Sequence, residues 1–221
     1  MGGRGSTSES GGGRIGKKNT SVTPRNVRTT PDGRSDVEEM FRRAGIDTVA
    51  GTGTYDANVV GAMATTLQGL EGRYGAIGAA GGGTLRVADL GKATAAASWN
   101  EGSADIYIST QMKSLGVKGQ AANEEIGWFM PSASNAKSKS QYTITHEYGH
   151  LLQGSISSKT GKTDRQIARE IVKLAGGTKG MSEYGMSNSS EFFAEAFANA
   201  HSGAPNNIGR AMQKWLKQQG Y

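Results

Sequence analysis

The chain has 221 residues, with 25 Lys and Arg against 19 Asp and Glu for a formal charge of +6, 34 glycines, three histidines and no cysteine. The lack of cysteine excludes disulfide scaffolds, thiolate metal sites, iron–sulfur clusters and cysteine nucleophiles, although it assigns no compartment. No apolar run approaches the ~18 residues needed to span a bilayer, and the first 30 residues hold no signal-peptide stretch, so a soluble chain is expected.

Leu, Ile, Val and Phe together supply only about 15% of the residues, a share that borders on that of disordered chains, but the net charge is too modest to match it. With 26 alanines in the chain, the core is expected to be built from small side chains and to gain less per residue from apolar burial.

Residues 1–33 read as a disordered basic arm rich in Gly and Ser, and residues 34–221 as one folded domain. The arm carries +4 of the charge through Arg4, Arg14, Lys17, Lys18, Arg25 and Arg28 against Glu9 and Asp32. A solvated arm is the plainest reading; contact with nucleic acid or an acidic surface is the functional alternative, although no aromatic residues interleave the charges.

The folded part is expected to open with a helix over Ser35 to Ala44, capped by Ser35 and stopped by Gly45. A second helix is expected over Asp56 to Tyr74, where Val59, Met63, Leu67 and Leu70 recur at helical spacing. Gly81-Gly82-Gly83 lacks the Lys-Ser/Thr ending of a phosphate loop and reads as a turn. Strands are expected over Thr84 to Leu90 and Ala104 to Thr110, the latter alternating apolar and polar residues as a half-buried strand does. Gln111 to Ser140 has weak periodicity and is long for a loop, which fits a wall or lid carrying Trp128, Phe129 and Met130. Helices are expected over Gln141 to Gln153, Asp164 to Ala175, Ser189 to His201 and Asn207 to Gln218.

The sharpest feature is His146-Glu147-Tyr148-Gly149-His150. On a helix, residues four apart project from one face, so two imidazoles can hold one metal while the intervening carboxylate lies near its water. Three histidines and 12 glutamates in the chain give a chance expectation for this pattern of about 0.002. Ser140 can cap the helix and Gly154 can end it, with Ile144, Tyr148, Leu151 and Leu152 facing inward. Gly149, a poor residue for mid-helix, points to the close approach of another backbone or of the metal site.

A third ligand must come from elsewhere. The segment Ser182 to Phe197 offers Glu191 and Glu195, one turn apart on a helix otherwise filled by Phe192, Phe193, Ala194, Ala196 and Phe197. Buried carboxylates need a partner or a metal. Asn188 stands three residues before Glu191, at capping-box spacing. His201 fits less easily and is expected at the surface.

The motif His-Glu-Tyr-Gly-His, followed about 40 residues later by Ser-Glu-Tyr-Gly-Met-Ser-Asn-Ser-Ser-Glu-Phe-Phe-Ala-Glu-Ala-Phe, resembles the catalytic domain of the anthrax lethal factor family of zinc endopeptidases, within the gluzincins. Similar domains occur in clostridial Pro-Pro endopeptidases and in phage proteins, some attached to head proteins. The resemblance is carried by Thr143 to His201. It implies an α+β, zincin-like fold with a small mixed sheet, an active-site helix and a mostly helical C-terminal part. It also implies Zn2+ bound by His146, His150 and Glu191, Glu147 as general base, Tyr184 as catalytic tyrosine, and Glu195 as the glutamate behind a ligand.

The expected reaction is hydrolysis of a peptide bond in a peptide or protein substrate. Strand Ala104 to Thr110 is expected to serve as an edge on which an extended substrate adds, with Trp128 and Phe129 lining pockets. Two rival readings are a catalytically inactive phage virion module that keeps the zinc fold while its arm binds capsid or DNA, and a toxin or effector protease. Glu147 and Tyr184 argue against the first, because a structural zinc site needs neither.

Overall fold

A computed structural model describes residues 34–50, 57–90, 93, 95–109 and 136–221. The basic arm and residues 111–135 of the expected lid, Trp128 and Phe129 among them, lie outside the described residues, while its last five, 136–140, are helical. The order is α1 (Arg34–Arg43), β1 (Ile46–Ala50), α2 (Ala57–Tyr74), α3 (Ala76–Ala79), β2 (Gly83–Ala88), β3 (Ala95–Asn100), β4 (Ser103–Ser109), α4 (Ala136–Thr160), α5 (Asp164–Ala175), α6 (Ser189–Ala200) and α7 (Asn207–Gln218).

This is the expected mixed α+β arrangement, with a small mixed sheet upstream and helices after it. The four strands lie in the order β1-β2-β4-β3. β1 pairs parallel with β2, β2 parallel with β4, and β3 antiparallel with β4. The last pair is a tight hairpin, with Asn100 Oδ1 accepting the Gly102 and Ser103 N–H groups, each at 2.9 Å. Leu85, Ile106 and Ile108 bury one side of the sheet, joined by Ala97 and Ala104. Alanine at these positions, and throughout α2 and α6, makes the core the small-side-chain type that the composition implies.

The order of the strands corrects one expectation. Ala104 to Thr110 is not an edge: β4 is flanked by β2 and β3, so its backbone groups are taken on both sides. The edge beside it is β3, which has Ala at three of six positions and so lacks the β-branched and aromatic residues that announce a strand. β1 and the single-turn α3 were likewise not expected from the pattern.

Helix α4 is the centre of the fold, packed against α2, α6 and β3. It starts before Ser140, which is buried inside the helix and not its cap, and it continues past Gly154 to Thr160. Gly154 does not end the helix because its task is steric: a Cβ there would lie 2.8–2.9 Å from the Trp99 ring of β3. Gly149 answers the first of the two expectations made of it, the close approach of another backbone, since a Cβ would lie 3.0 Å from the Ala194 Cα of α6 and 3.3 Å from the Phe197 ring. The two small residues therefore let α4 sit close to a strand on one side and to a helix on the other.

The C-terminal helices carry the caps their sequences call for. Thr163 and Gln166 form a capping box on α5, and Asn206 Oδ1 accepts the Ile208 and Gly209 N–H groups at the start of α7. Phe193, Phe197 and Trp215 are buried between α6 and its neighbours, with the Phe193 and Trp215 rings edge to face at 5.9 Å. No helix among the described residues is long and apolar enough to cross a membrane.

Candidate metal centre

Two helices build the centre. α4 supplies His146, Glu147 and His150, and α6 supplies Glu191 and Glu195. All five are buried, with His146, Glu147 and Glu195 at 0% exposure. The four-residue spacing puts the two imidazoles on one face, edge to face with ring centroids 4.9 Å apart. The close contact at Gly149 brings α6 against that face, so Glu191 reaches both rings. Glu191 Oε2 is 3.1 Å from His146 Nε2 and 3.5 Å from His150 Nε2, and the two Nε2 atoms are 3.2 Å apart. These three residues could hold a metal ion: one ligand atom from each lies within 4.8 Å of the others.

The start of α6 aims Glu191. Asn188 Oδ1 accepts the N–H groups of Ser190 at 3.0 Å and Glu191 at 2.9 Å. Asn188 is thus the expected cap, while the Glu191 carboxylate is turned to the histidines.

Behind the ligand atoms, each imidazole has a second partner. His146 Nδ1 is 2.8 Å from Glu195 Oε1, the position in which a carboxylate holds the outer nitrogen of a ligand ring. Glu195 Oε2 in turn accepts from Ser182 Oγ at 2.9 Å and from the Tyr142 hydroxyl at 3.3 Å. His150 Nδ1 is 3.0 Å from Ser190 Oγ, which donates to Gln153 Oε1 at 3.1 Å. Ser182, Tyr142, Ser190 and Gln153 were not foreseen. Tyr142 one turn before His146, Gln153 one turn after His150 and Ser190 next to Glu191 carry a positional signal, whereas Ser182, nine residues before Glu191, carries none.

Electrostatics follow from this crowding. Burial opposes protonation of His146, but its hydrogen bonds to Glu191 and Glu195 and the charges of Glu195 and Glu147 outweigh it and raise the pKa to about 10. Burial likewise works against the Glu191 charge, yet the two histidines hold its carboxyl below the ordinary carboxylate range. A buried set of mutually stabilising imidazoles and carboxylates is the donor chemistry that a divalent cation replaces.

Tyr184 lies in the turn before α6, 8% exposed, its ring centroid 6.0 Å from that of His146. Ser182 Oγ accepts the Gly185 N–H at 3.0 Å while donating to Glu195, so the Tyr184 turn is fastened to the carboxylate behind His146.

His201 does not join the centre and is not a surface residue. It is half-buried at the end of α6, its Nδ1–H donating to the Phe197 carbonyl at 2.9 Å and its Nε2 accepting from the Tyr74 hydroxyl at 2.9 Å. Burial pushes its pKa down. Both nitrogens are occupied by a structural bridge from α6 to α2. No family model matches this chain, and neither a curated protein nor a solved structure matches it.

Proposed function

We propose that the protein is a zinc-dependent endopeptidase of zincin-like fold, with His146, His150 and Glu191 as metal ligands. The observation that carries this reading is the ligand triangle, with sides of 3.1, 3.2 and 3.5 Å. A tetrahedral ion with bonds of ~2.0–2.1 Å to nitrogen and oxygen requires ligand atoms about 3.3 Å apart. Two histidines and one carboxylate, with no thiolate in the chain, form a catalytic zinc set that leaves a fourth position for water or substrate. The bound ion would supply Lewis acidity and a water of lowered pKa.

The remaining chemistry belongs to the chain. Glu147, one residue after His146, would take a proton from the attacking water and pass it to the leaving amine. Tyr184, beside the His146 ring, would donate its phenol hydrogen to the oxygen on which negative charge develops. Glu195 would hold the His146 Nδ1–H and so keep the Nε2 lone pair on the metal side. Substrate would be an extended peptide, and β3, the free-standing partner of β4 at the sheet border packed on α4, replaces β4 as the strand it would meet. An inactive module would need neither Glu147 nor Tyr184, which is why the enzyme reading is preferred.

The test is zinc stoichiometry together with cleavage of a diverse peptide library. One zinc per chain and cleavage abolished both by chelation and by Glu147→Ala with zinc still bound are expected. Zinc-loaded protein that cleaves nothing in the library would reduce the reading to a zinc-binding module.

A further inference from the structure

A ligand imidazole must present a lone pair on one nitrogen and carry its hydrogen on the other, so whatever holds the outer nitrogen sets whether the ring can bind. The two histidines are held differently. His146 has the Glu195 carboxylate; His150 has a hydroxyl followed by an amide, Ser190 and then Gln153. We propose that Ser190 and Gln153 are positioning residues that lock His150 in its metal-binding tautomer through an uncharged arm. This rests on the reading of His146, His150 and Glu191 as a metal site.

The direction of the arm follows from counting hydrogens. A serine hydroxyl has one hydrogen to donate. With the Gln153 carbonyl oxygen facing Ser190, as at 3.1 Å, that hydrogen goes to Gln153 and the Ser190 oxygen accepts from His150 Nδ1–H at 3.0 Å. The His150 Nε2 lone pair then faces His146 and Glu191. With the amide reversed, its N–H would donate to Ser190, the hydroxyl hydrogen would turn to Nδ1, and the imidazole hydrogen would sit on Nε2, blocking the metal side. The amide orientation therefore decides whether the ring can bind.

Gln153 is also poorly explained by packing. It is 2% exposed, and its amide nitrogen is buried without a hydrogen-bond partner among the described residues. A leucine would fill comparable space without an unsatisfied donor, so stability alone does not favour glutamine here. The carbonyl oxygen is the part of the side chain in use. A carboxylate at this position would set tautomer equally well but would add a fourth negative charge to Glu147, Glu191 and Glu195; the amide avoids this.

The experiment measures zinc affinity of the full chain by competition with a chromophoric chelator, alongside the melting temperature and 1H–15N spectra of the imidazole nitrogens in the zinc-loaded protein. Ser190→Ala and Gln153→Leu are each expected to weaken zinc binding about 10- to 100-fold. The double variant should be no weaker than the worse single one, and Ser190→Thr, which keeps the hydroxyl, should bind like the wild type. Gln153→Leu removes the unsatisfied donor, so its metal-free protein should melt no lower than the wild type even as affinity falls, an uncoupling that a merely structural role does not produce. Wild-type protein that binds zinc with variants that bind it equally tightly would overturn the arm and leave the metal site standing. Wild-type protein that binds no zinc would overturn the metal reading itself. If Ser190→Ala does not fold, Gln153→Leu and Ser190→Thr decide the matter by the same criteria.

Discussion

The Tyr148 hydroxyl donates to Glu71 Oε2 at 2.9 Å. It also accepts the Ala76 N–H at 3.0 Å, so the residue midway between the two histidines is tied to the junction of α2 and α3. Glu71 is itself the cap of that junction, accepting the Ile77 and Gly78 N–H groups at 2.9 and 2.6 Å. The helix face opposite the ligands thus has its own anchor, and burial together with the Glu71 charge pushes the Tyr148 phenol well above its ordinary range, keeping it a donor.

Tyr148→Phe should therefore destabilise without disarming. It leaves the Ala76 N–H without its acceptor and removes one donor from a carboxylate, a loss of about 1–3 kcal/mol. Urea unfolding should show a lower midpoint with an unchanged slope. Zinc stoichiometry should stay at the wild-type value, because none of the ligand contacts passes through this hydroxyl.

Tyr184→Phe should do the reverse. Its hydroxyl is assigned to charge that exists only in the transition state, so kcat should fall ~100-fold or more with KM nearly unchanged and zinc retained. A rise in KM with kcat intact would assign Tyr184 to substrate binding instead.

The paired glycines of α4 separate stability from metal geometry. Gly149→Ala pushes a methyl to 3.0 Å from the Ala194 Cα, a backbone atom that can yield only if α6 moves. Because α6 carries Glu191, both stability, by about 1–3 kcal/mol, and zinc affinity should fall. Gly154→Ala meets the Trp99 ring at 2.8 Å and is expected to cost similar stability while leaving zinc affinity alone. Trp99 lies on β3, which supplies none of the ligands, and its fluorescence should report the shift. Equal zinc affinity in the two variants would show that the spacing between α4 and α6 does not set the site.

How far these relationships could be read from the chain depends on how local they are. α5 and α7 were legible to the residue, because Thr163 with Gln166 and Asn206 with its two N–H groups act within a single turn. His146, Glu147 and His150 were legible because spacing alone puts them on one face. Glu191 and Glu195 were legible as candidates because buried carboxylates require partners, whereas the division between ligand and supporting glutamate came from the family resemblance. The sheet was half legible: β2 and β4 have alternating aliphatic residues, whereas β3 has alanines. Whether β4 is an edge or a centre depends on which strand arrives beside it, a fact no pattern within β4 contains. Glu71 was illegible for the same reason, since it lies 77 residues from the tyrosine it holds. Gly154 was misread as a helix end because a glycine's need for space looks the same in sequence as a glycine's need for conformational freedom.

Metal and protons should compete for the centre. In the metal-free protein the His146 pKa stands at about 10, above the ~6.5 of an unfolded histidine. A raised folded pKa contributes stability that is fully present below about pH 6.5 and is lost as pH rises through about 10. A metal ligand must instead give up its proton, so metal affinity should rise across the same interval. At pH 7, zinc binding should release about one proton per chain, read by calorimetry in buffers of different ionisation enthalpy. The melting temperature of the metal-free protein should decline between pH 7 and 10 while that of the zinc-loaded protein stays level, so the gap between them widens. That gap should be several degrees even at pH 7. The core is built from small side chains, each kcal/mol of metal binding shifts the melting point of a domain this size by ~2–4 °C, and affinity for the native state adds directly to folding free energy. Zinc binding without proton release at pH 7 would show that the imidazolium held between Glu191 and Glu195 is not the species the metal displaces.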